Sequence, residues 1–152
     1  CHAPKLLSDI AKLRACAAGE PDGHGGTMAD DLSFMADLAR IELTAQALEM
    51  TELRVLAEMA KGLPPGPQTS LSKMIASTLR QQVDAMAVRL YGYAGLELEP
   101  RRPLYGADAP PPRHGKGAQI AAPRYLNSLA WTIFGGTNEV QRTIIAKTVL
   151  GL

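Results

Sequence analysis

The fold is decided by residues 28–61, which read MADDLSFMADLARIELTAQALEMTELRVLAEMAK and contain neither proline nor glycine. One uninterrupted helix over this stretch would be roughly 50 Å long at about 1.5 Å per residue. Its apolar residues repeat at helical spacing, with one stripe at Leu38, Ile41, Ala45, Leu48, Val55 and Met59 and further members at Met35, Leu43, Met50, Leu53 and Leu56. A stripe this wide indicates burial on more than one side, in a bundle or at a subunit contact.

A shorter helix precedes this one. Residues 5–18 place Leu6, Ile10, Leu13 and Ala17 on one face, and Gly19 ends the segment. We expect Thr27 to cap the start of the long helix, because its hydroxyl can accept a hydrogen bond from an unpaired amide. Asp30 and Asp31 then fall in the first turn of that helix.

A second long helix follows a stiff corner. Gly62 ends the first one, and residues 63–67 (LPPGP) form the corner. The next helix is predicted from Thr69 or Ser70 to about Tyr91, and Gly92 and Gly95 break it; its inward residues are Leu71, Ile75, Leu79, Val83, Met86 and Leu90. Two long helices joined by a short corner lie antiparallel.

The remaining third of the chain is less regular. Residues 96–123 are rich in proline and glycine and predict a long irregular loop. A helix over residues 124–134 is expected to begin at Pro123, and Thr137 to open a last helix with Val140, Ile144, Ile145 and Val149 facing inward. The sequence therefore predicts an all-α, up-down four-helix bundle with one long irregular loop.

Composition excludes several classes of protein. The 152 residues fit one domain, and the formal net charge of +1 comes without the basic stripe of a nucleic-acid-binding protein. No apolar run approaches the ~20 residues that span a bilayer. The two cysteines form no cluster with histidine, so we expect no metal site, and they suit the reducing cytoplasm. Cys16 is interpreted as a small buried apolar side chain, and the cations Arg101, Arg102, Arg113 and Lys116 as a solvated loop.

One segment could carry chemistry. Residues 133–142 (IFGGTNEVQR), which we call the elbow, place two glycines before Thr137 at a helix start. Unpaired amides and the helix dipole at such a start favour an anion, phosphate above all, and Arg142 lies one turn further on. The same pattern is also typical of a plain helix cap, and Arg142 of a surface ion-pair partner.

Residues 133–151 (IFGGTNEVQRTIIAKTVLG) resemble the C-terminal signature of the acyl-CoA dehydrogenases, whose usual form is Y-x-G-T-x-x-x-Q-R. Residues 42–76 are similar to the bacterial branch that includes the pimeloyl-CoA dehydrogenase large subunit, through residues 51–56 (TELRVL) and 65–67 (PGP). The resemblance covers most of the chain, and the last motif is its most specific part.

The resemblance implies a fold and an activity. Residues 1–152 would form the C-terminal helical bundle of a longer protein that also has an N-terminal helical domain and a middle β-domain. Family members remove two hydrogens from an acyl-CoA, giving the trans-2-enoyl-CoA: a glutamate takes the α-proton, and FAD accepts the β-hydride and passes electrons to an electron-transfer flavoprotein. By resemblance, the FAD-binding residues here are Gly136, Thr137, Asn138, Glu139 and Arg142.

Two departures from the family pattern matter. Gly135 stands where many members have the catalytic glutamate, so we expect no catalytic residue in this chain, and a base upstream of Cys1 or in a partner subunit. Residues 89–95 (RLYGYAG) stand where a Gln followed by paired glycines usually contacts FAD from a neighbouring subunit, and Arg89 replaces that Gln.

These features favour the C-terminal domain of an FAD-dependent acyl-CoA dehydrogenase that contributes cofactor contacts and a homo- or hetero-oligomer interface. Two alternatives stay open. One is a non-catalytic partner subunit of a heteromeric acyl-CoA dehydrogenase, which Gly135 suits equally well. The other is a helical interaction module without a cofactor.

Overall fold

The computed structural model describes residues 2–98 and 113–152. Five α-helices form within them: α1 (Ala3–Ala17), α2 (Leu32–Ala60), α3 (Gln68–Gly95), α4 (Gly115–Ser128) and α5 (Asn138–Ile145). A 3-10 turn (Leu129–Thr132) follows α4, and a π-helical turn (Ala146–Leu150) follows α5. These ranges contain no β-strand, which confirms the predicted all-α class; a single isolated bridge joins Pro21 to Thr27.

The core lies where α1, α2 and α3 meet. Phe34 and Leu38 of α2, Leu79 of α3 and Ile10 of α1 are almost completely buried there. These positions lie on the faces that helical spacing predicts, because residues three and four apart project from the same side of a helix. The expected inward faces of the first three helices are therefore confirmed, except that Met59 and Leu71 are exposed.

The start of α2 differs from the prediction. Asp31 caps it, accepting hydrogen bonds from the backbone N–H of Ser33 at 2.9 Å and of Phe34 at 3.0 Å. Thr27 lies before the helix, where its hydroxyl donates to Asp30. A carboxylate caps as well as a hydroxyl does, and the turn at Thr27 precedes the first helical residue, so the expectation for Thr27 was wrong.

The helix α3 changes direction near its end, as the glycines predict. Gly92 has φ 52° and ψ −132°, a conformation that residues with a side chain rarely adopt. Helical structure resumes after it and ends at Gly95. The predicted end at Tyr91 therefore marks a kink, and the break at Gly92 is confirmed.

The helix α4 begins earlier than predicted. It starts at Gly115 and carries Pro123 inside it, although proline in a helix interior costs ~3 kcal/mol. Its small residues Ala118, Ala121 and Ala122 are buried, and α4 packs closely on α3. This tertiary packing outweighs the local penalty, so the expected irregular loop ends at residue 114; residues 99–112 of that loop lie outside the described residues.

Several apolar side chains are exposed. On α2 they are Leu43, Met50, Leu53 and Leu56; on α5, Val140 is 50% exposed and Ile144 41%. The expectation of an inward face was therefore wrong for Val140, Ile144 and Val149, whereas Ile145 is half-buried; the one buried residue of α5 is Asn138. Cys16, interpreted as buried, is also exposed.

A charged cluster joins three helices. Arg80 of α3 lies between Asp9 of α1 and Asp84 of α3, and all three side chains are buried. Arg124 of α4 reaches the same two carboxylates, at 3.2 Å from Asp9 and 3.4 Å from Asp84. Two carboxylates thus face two guanidinium groups, and the Nζ of Lys5 lies 2.8 Å from Asp9 as well, so the buried negative charges are compensated.

None of the helices within residues 2–98 and 113–152 combines the length and the apolar character needed to cross a membrane.

Candidate functional site

The elbow turns sharply between the 3-10 turn and α5. Gly135 has φ 67° and Gly136 has φ 89°, both in the left-handed region that favours glycine. Thr137 then caps α5, and its Oγ1 accepts a hydrogen bond from the backbone N–H of Val140 at 3.2 Å. The predicted helix start at Thr137 is thus confirmed.

The side chain of Asn138 points into the protein. It is 7% exposed, and its Oδ1 accepts a hydrogen bond from the Nζ of Lys73 at 2.8 Å. Its Nδ2 donates to the Oγ of Ser77 at 3.2 Å. Of Asn138, therefore, only the backbone can face a ligand at the elbow.

A cleft of about 300 Å³ opens beside the elbow. A Cβ built at Gly135 would meet no heavy atom of the described residues within 4 Å, so this position faces open space. The cleft is lined by His2, Lys73, Ala76, Ser77, Trp131, Phe134 and Gly135. One wall is apolar and aromatic and the other carries an ammonium group, which is a chemical mixture typical of ligand clefts.

The charges at the elbow come from Glu139 and Arg142. Their side chains form an exposed ion pair, with 3.4 Å between Nη1 and Oε1. The pKa of Glu139 is lowered, first by a hydrogen bond from its own backbone N–H, then by Thr137, and further by the positive charges of Arg142 and Lys73. An ionised carboxylate therefore already lies at the helix start where an incoming phosphate would bind.

The second stretch expected near FAD is engaged elsewhere. The guanidinium of Arg89 lies 2.9 Å from Asp37 and 3.4 Å from Asp31, and it donates to the hydroxyl of Ser33 at 3.1 Å. It also lies over the ring of Phe34, 5.5 Å from its centroid. In this chain Arg89 holds the end of α3 against the start of α2.

The elbow residues suit the phosphates of a nucleotide. A glycine turn, backbone N–H groups at a helix start, the Thr137 hydroxyl and a nearby guanidinium are the groups that bind phosphate in proteins. The structure places Gly136, Thr137 and Glu139 at the start of α5 and Arg142 one turn further on, paired with Glu139, while Asn138 is directed inward. A Cβ added to Gly136 would come within 2.8 Å of the Nε2 of Gln141, so the turn is already closely packed on that side.

Sequence reasoning missed three residues at this site. Lys73 and Ser77 lie on α3, far from the elbow along the chain, and Trp131 lies in the 3-10 turn. Their signal in the sequence is weak: Lys73 and Ser77 are four residues apart on one helix face, which only shows that they are neighbours.

Comparisons with known proteins agree with this architecture. Residues 9–150 match the family described as acyl-CoA dehydrogenase, C-terminal domain. The acyl-CoA dehydrogenase IpdE1 of Mycolicibacterium smegmatis is 36% identical over 88 residues, and the acyl-CoA dehydrogenase FadE34 of Mycobacterium tuberculosis is 28% identical over 127 residues. These alignments cover 58% and 84% of this chain but 18% and 15% of the two relatives.

A solved structure has the same fold. A chain in the crystal structure of the ChsE4–ChsE5 complex from Mycobacterium tuberculosis superposes with a TM-score of 0.75 at 23% identity. The superposition covers 100% of this chain and 36% of that one. Because the family match spans nearly all of the sequence and an independent structure shares the fold, the chain belongs to the acyl-CoA dehydrogenase family and corresponds to its C-terminal domain.

Proposed function

We propose that this chain is the C-terminal helical domain of a longer FAD-dependent acyl-CoA dehydrogenase, one that converts an acyl-CoA to the trans-2-enoyl-CoA. The chain spans less than a fifth of the length of the two curated relatives, which is consistent with further domains in the whole protein. The observation that carries the proposal is the elbow: a glycine turn and a capped helix start beside an open cleft, within a family-matched sequence.

In this proposal the elbow holds the phosphates of FAD. The backbone N–H groups at the start of α5, the hydroxyl of Thr137 and the guanidinium of Arg142 would bind them, and Gly136 would allow close approach. Asn138 and Glu139 would contribute through the backbone. When bound, FAD supplies the acceptor for the hydride that leaves the acyl group.

At the elbow the described residues offer no base for the reaction. Gly135 faces the open cleft without a side chain, and the ionised carboxylate of Glu139 is paired with Arg142 on the following helix. A general base must be within reach of the proton it removes. The base is therefore expected upstream of Cys1 or in a partner subunit, and an electron-transfer flavoprotein would reoxidise the cofactor in the cytoplasm.

Exposed apolar faces support an oligomer. Leu43, Met50 and Leu53 on α2 and Val140 and Ile144 on α5 are each at least 41% exposed. Such surfaces commonly become buried against another subunit. The structural neighbour is itself part of the ChsE4–ChsE5 complex.

A second candidate function has one specific observation in its favour. With Gly135 at the position of the usual base, the chain could belong to a non-catalytic subunit that pairs with an active homologue. Purification of the whole protein alone and together with its homologue separates the two: an enzyme turns over acyl-CoA by itself, whereas a partner subunit does so only in the mixed complex.

The proposal is tested by flavin retention in the whole protein. Thr137→Ala combined with Arg142→Ala removes a hydroxyl and a charge from the elbow, and we expect FAD affinity to fall about tenfold or more. The matched control is Thr44→Ala with Arg54→Ala on the exposed side of α2, which should keep its flavin. Equal flavin retention in the two double variants would remove the elbow from the cofactor site and favour a helical module without FAD.

A further inference from the structure

One short segment of α3 holds both ends of the glycine turn at residues 133–137. The Nζ of Lys73 lies 3.4 Å from the carbonyl oxygen of Thr132, the last residue of the 3-10 turn. The same Nζ lies 2.8 Å from the Oδ1 of Asn138, the first residue of α5. A single ammonium group thus bridges the residues on either side of the turn at 133–137.

Ser77 completes this attachment. Its Oγ accepts from the Nδ2 of Asn138 at 3.2 Å and donates to the carbonyl of Met74 at 2.8 Å within α3. Both the oxygen and the nitrogen of the buried Asn138 amide are therefore bonded to α3. A buried amide whose partner is removed loses several favourable contacts with no water to replace them, so this attachment is specific to one position of α5.

The side chains of the turn itself add little support. Gly135 and Gly136 adopt positive φ angles and have no side chains to limit their conformations. Phe134 and Ile133 are more than half exposed and add little packing. Within the turn, the carbonyl oxygen of Gly135 accepts a hydrogen bond from the Nε2 of Gln141 at 3.2 Å. Its two ends are attached to the rest of the bundle by Lys73 and Ser77, the groups on α3 that bond to them.

We infer that Lys73, supported by Ser77, is a positioning residue for the cofactor site. It fixes the glycine turn and the start of α5 so that the backbone N–H groups are already arranged for the phosphates of FAD, which lowers the entropy lost on binding. This inference rests on the proposed function of the elbow. It adds that a residue of α3, about sixty positions away in sequence, determines the cofactor affinity of that elbow.

The test compares Lys73→Met with Lys116→Met in the whole protein. Lys116 is an exposed lysine on α4, so its replacement removes the same charge from the chain without touching the elbow. In Lys73→Met we expect amide hydrogen exchange over residues 133–141 to accelerate about tenfold, and the dissociation constant for FAD to rise by a similar factor. Ser77→Ala is a smaller change that should also raise the exchange rate and the dissociation constant for FAD. It replaces Lys73→Met in the test if Lys73→Met does not fold.

The possible outcomes distinguish a failure of the positioning role of Lys73 from a failure of the proposed FAD binding at the elbow. Unchanged exchange at the elbow in folded Lys73→Met would overturn the positioning role. Faster exchange with FAD affinity equal to that of Lys116→Met would also overturn it, provided that the Thr137→Ala and Arg142→Ala variant does lose flavin. If neither that double variant nor Lys73→Met loses flavin, the elbow does not bind FAD and the proposed function itself fails.

Discussion

Arg80 donates from Nη1 to the Oδ2 of Asp9 across 2.7 Å, which joins the middle of α3 to α1 inside the bundle. Its Nε donates to the Oδ2 of Asp84 at 2.8 Å, so one guanidinium serves two carboxylates. Arg124 reaches the same carboxylates from α4. The relative position of three helices therefore depends on this charged cluster as well as on apolar packing.

Removal of Arg80 should strongly destabilise the bundle. Arg80→Met leaves Asp9 and Asp84 buried close together, with the half-exposed Arg124 facing both and Lys5 bonded to Asp9. Breaking a buried ion pair in this way costs about 3–5 kcal/mol. Urea unfolding followed by circular dichroism measures the loss; Arg54→Met, at an exposed position of α2, should change the free energy of unfolding by less than about 0.5 kcal/mol. A loss in Arg80→Met no larger than in this control would show that the cluster adds nothing to stability.

The same cluster predicts sensitivity to acid. Burial alone would raise the pKa of Asp9, but hydrogen bonds from Lys5 and Arg80 and their positive charges lower it well below its ordinary value of 3.8. A lowered pKa in the folded state stabilises the protein above that ordinary value, and the contribution is lost as the pH falls below it. We expect the urea midpoint to fall between about pH 5 and pH 2.5, and Asp9→Asn to flatten this dependence. If the urea midpoint of Asp9→Asn fell with pH as steeply as that of the unmodified protein, Asp9 would not be the group responsible.

Packing of α4 on α3 should depend on a glycine. A Cβ at Gly117 would overlap the hydroxyl of Tyr91, whose pKa burial and the neighbouring Cys16 raise to about 12. Gly117→Ala is expected to cost about 1–3 kcal/mol through overpacking. Adding Tyr91→Phe removes the overlapping oxygen, so the double variant should recover part of the loss in thermal unfolding. Additive effects of the two changes would mean that Tyr91 is not the group that Gly117 accommodates.

Restoring a glutamate at the family's usual position should carry a conformational penalty. Gly135 has φ 67°, where a residue with a side chain costs about 1–2 kcal/mol. Gly135→Glu should therefore lower stability, while Gly135→Asn should lower it less, because asparagine tolerates the left-handed region better. Differential scanning calorimetry of both variants tests the order. Equal stability of all three proteins would show that the turn relaxes freely to a negative φ.

The carboxylate of Glu139 should weaken binding of an anion at the elbow. Its pKa is lowered by hydrogen bonds at the start of α5, so it is ionised at neutral pH, close to where phosphate would bind. Glu139→Gln is expected to raise FAD affinity about fivefold, because it removes a negative charge close to the phosphates. Isothermal titration against Glu58→Gln, on α2, provides the comparison. Weaker binding in Glu139→Gln would instead mean that this carboxylate contacts the nucleotide directly.

Much of the bundle could be predicted because its local signals are strong. The apolar spacing of α1, α2 and α3 predicts their buried faces, since burial on one side imposes a period of 3.6 residues. Gly92 predicts the kink in α3, and Thr137 predicts the start of α5, because both are consequences of backbone geometry at single residues. At the elbow, the glycine turn and the capping hydroxyl were likewise predicted from the sequence.

The errors arose where distant contacts outweigh local preference. Pro123 indicated a helix start, yet α4 begins at Gly115 because a face of alanines packs against α3. The apolar residues of the last helical segment indicated an inward face, yet Val140, Ile144 and Val149 are exposed in this chain. Apolar spacing does not reveal whether such a face is buried by the same chain or by another one. Lys73 could not be assigned to the elbow, since about sixty residues separate them.

By itself the sequence determined the helical class, the buried faces of the first three helices and the glycine turn before α5, because each depends on residues only a few positions apart. Only the tertiary structure decided that Lys73 and Ser77 hold that turn, that Asn138 points inward, and that Asp9, Arg80, Asp84 and Arg124 share one buried cluster. The physical reason is that these contacts join residues remote in the chain, and their formation depends on how the helices pack rather than on what any one helix prefers.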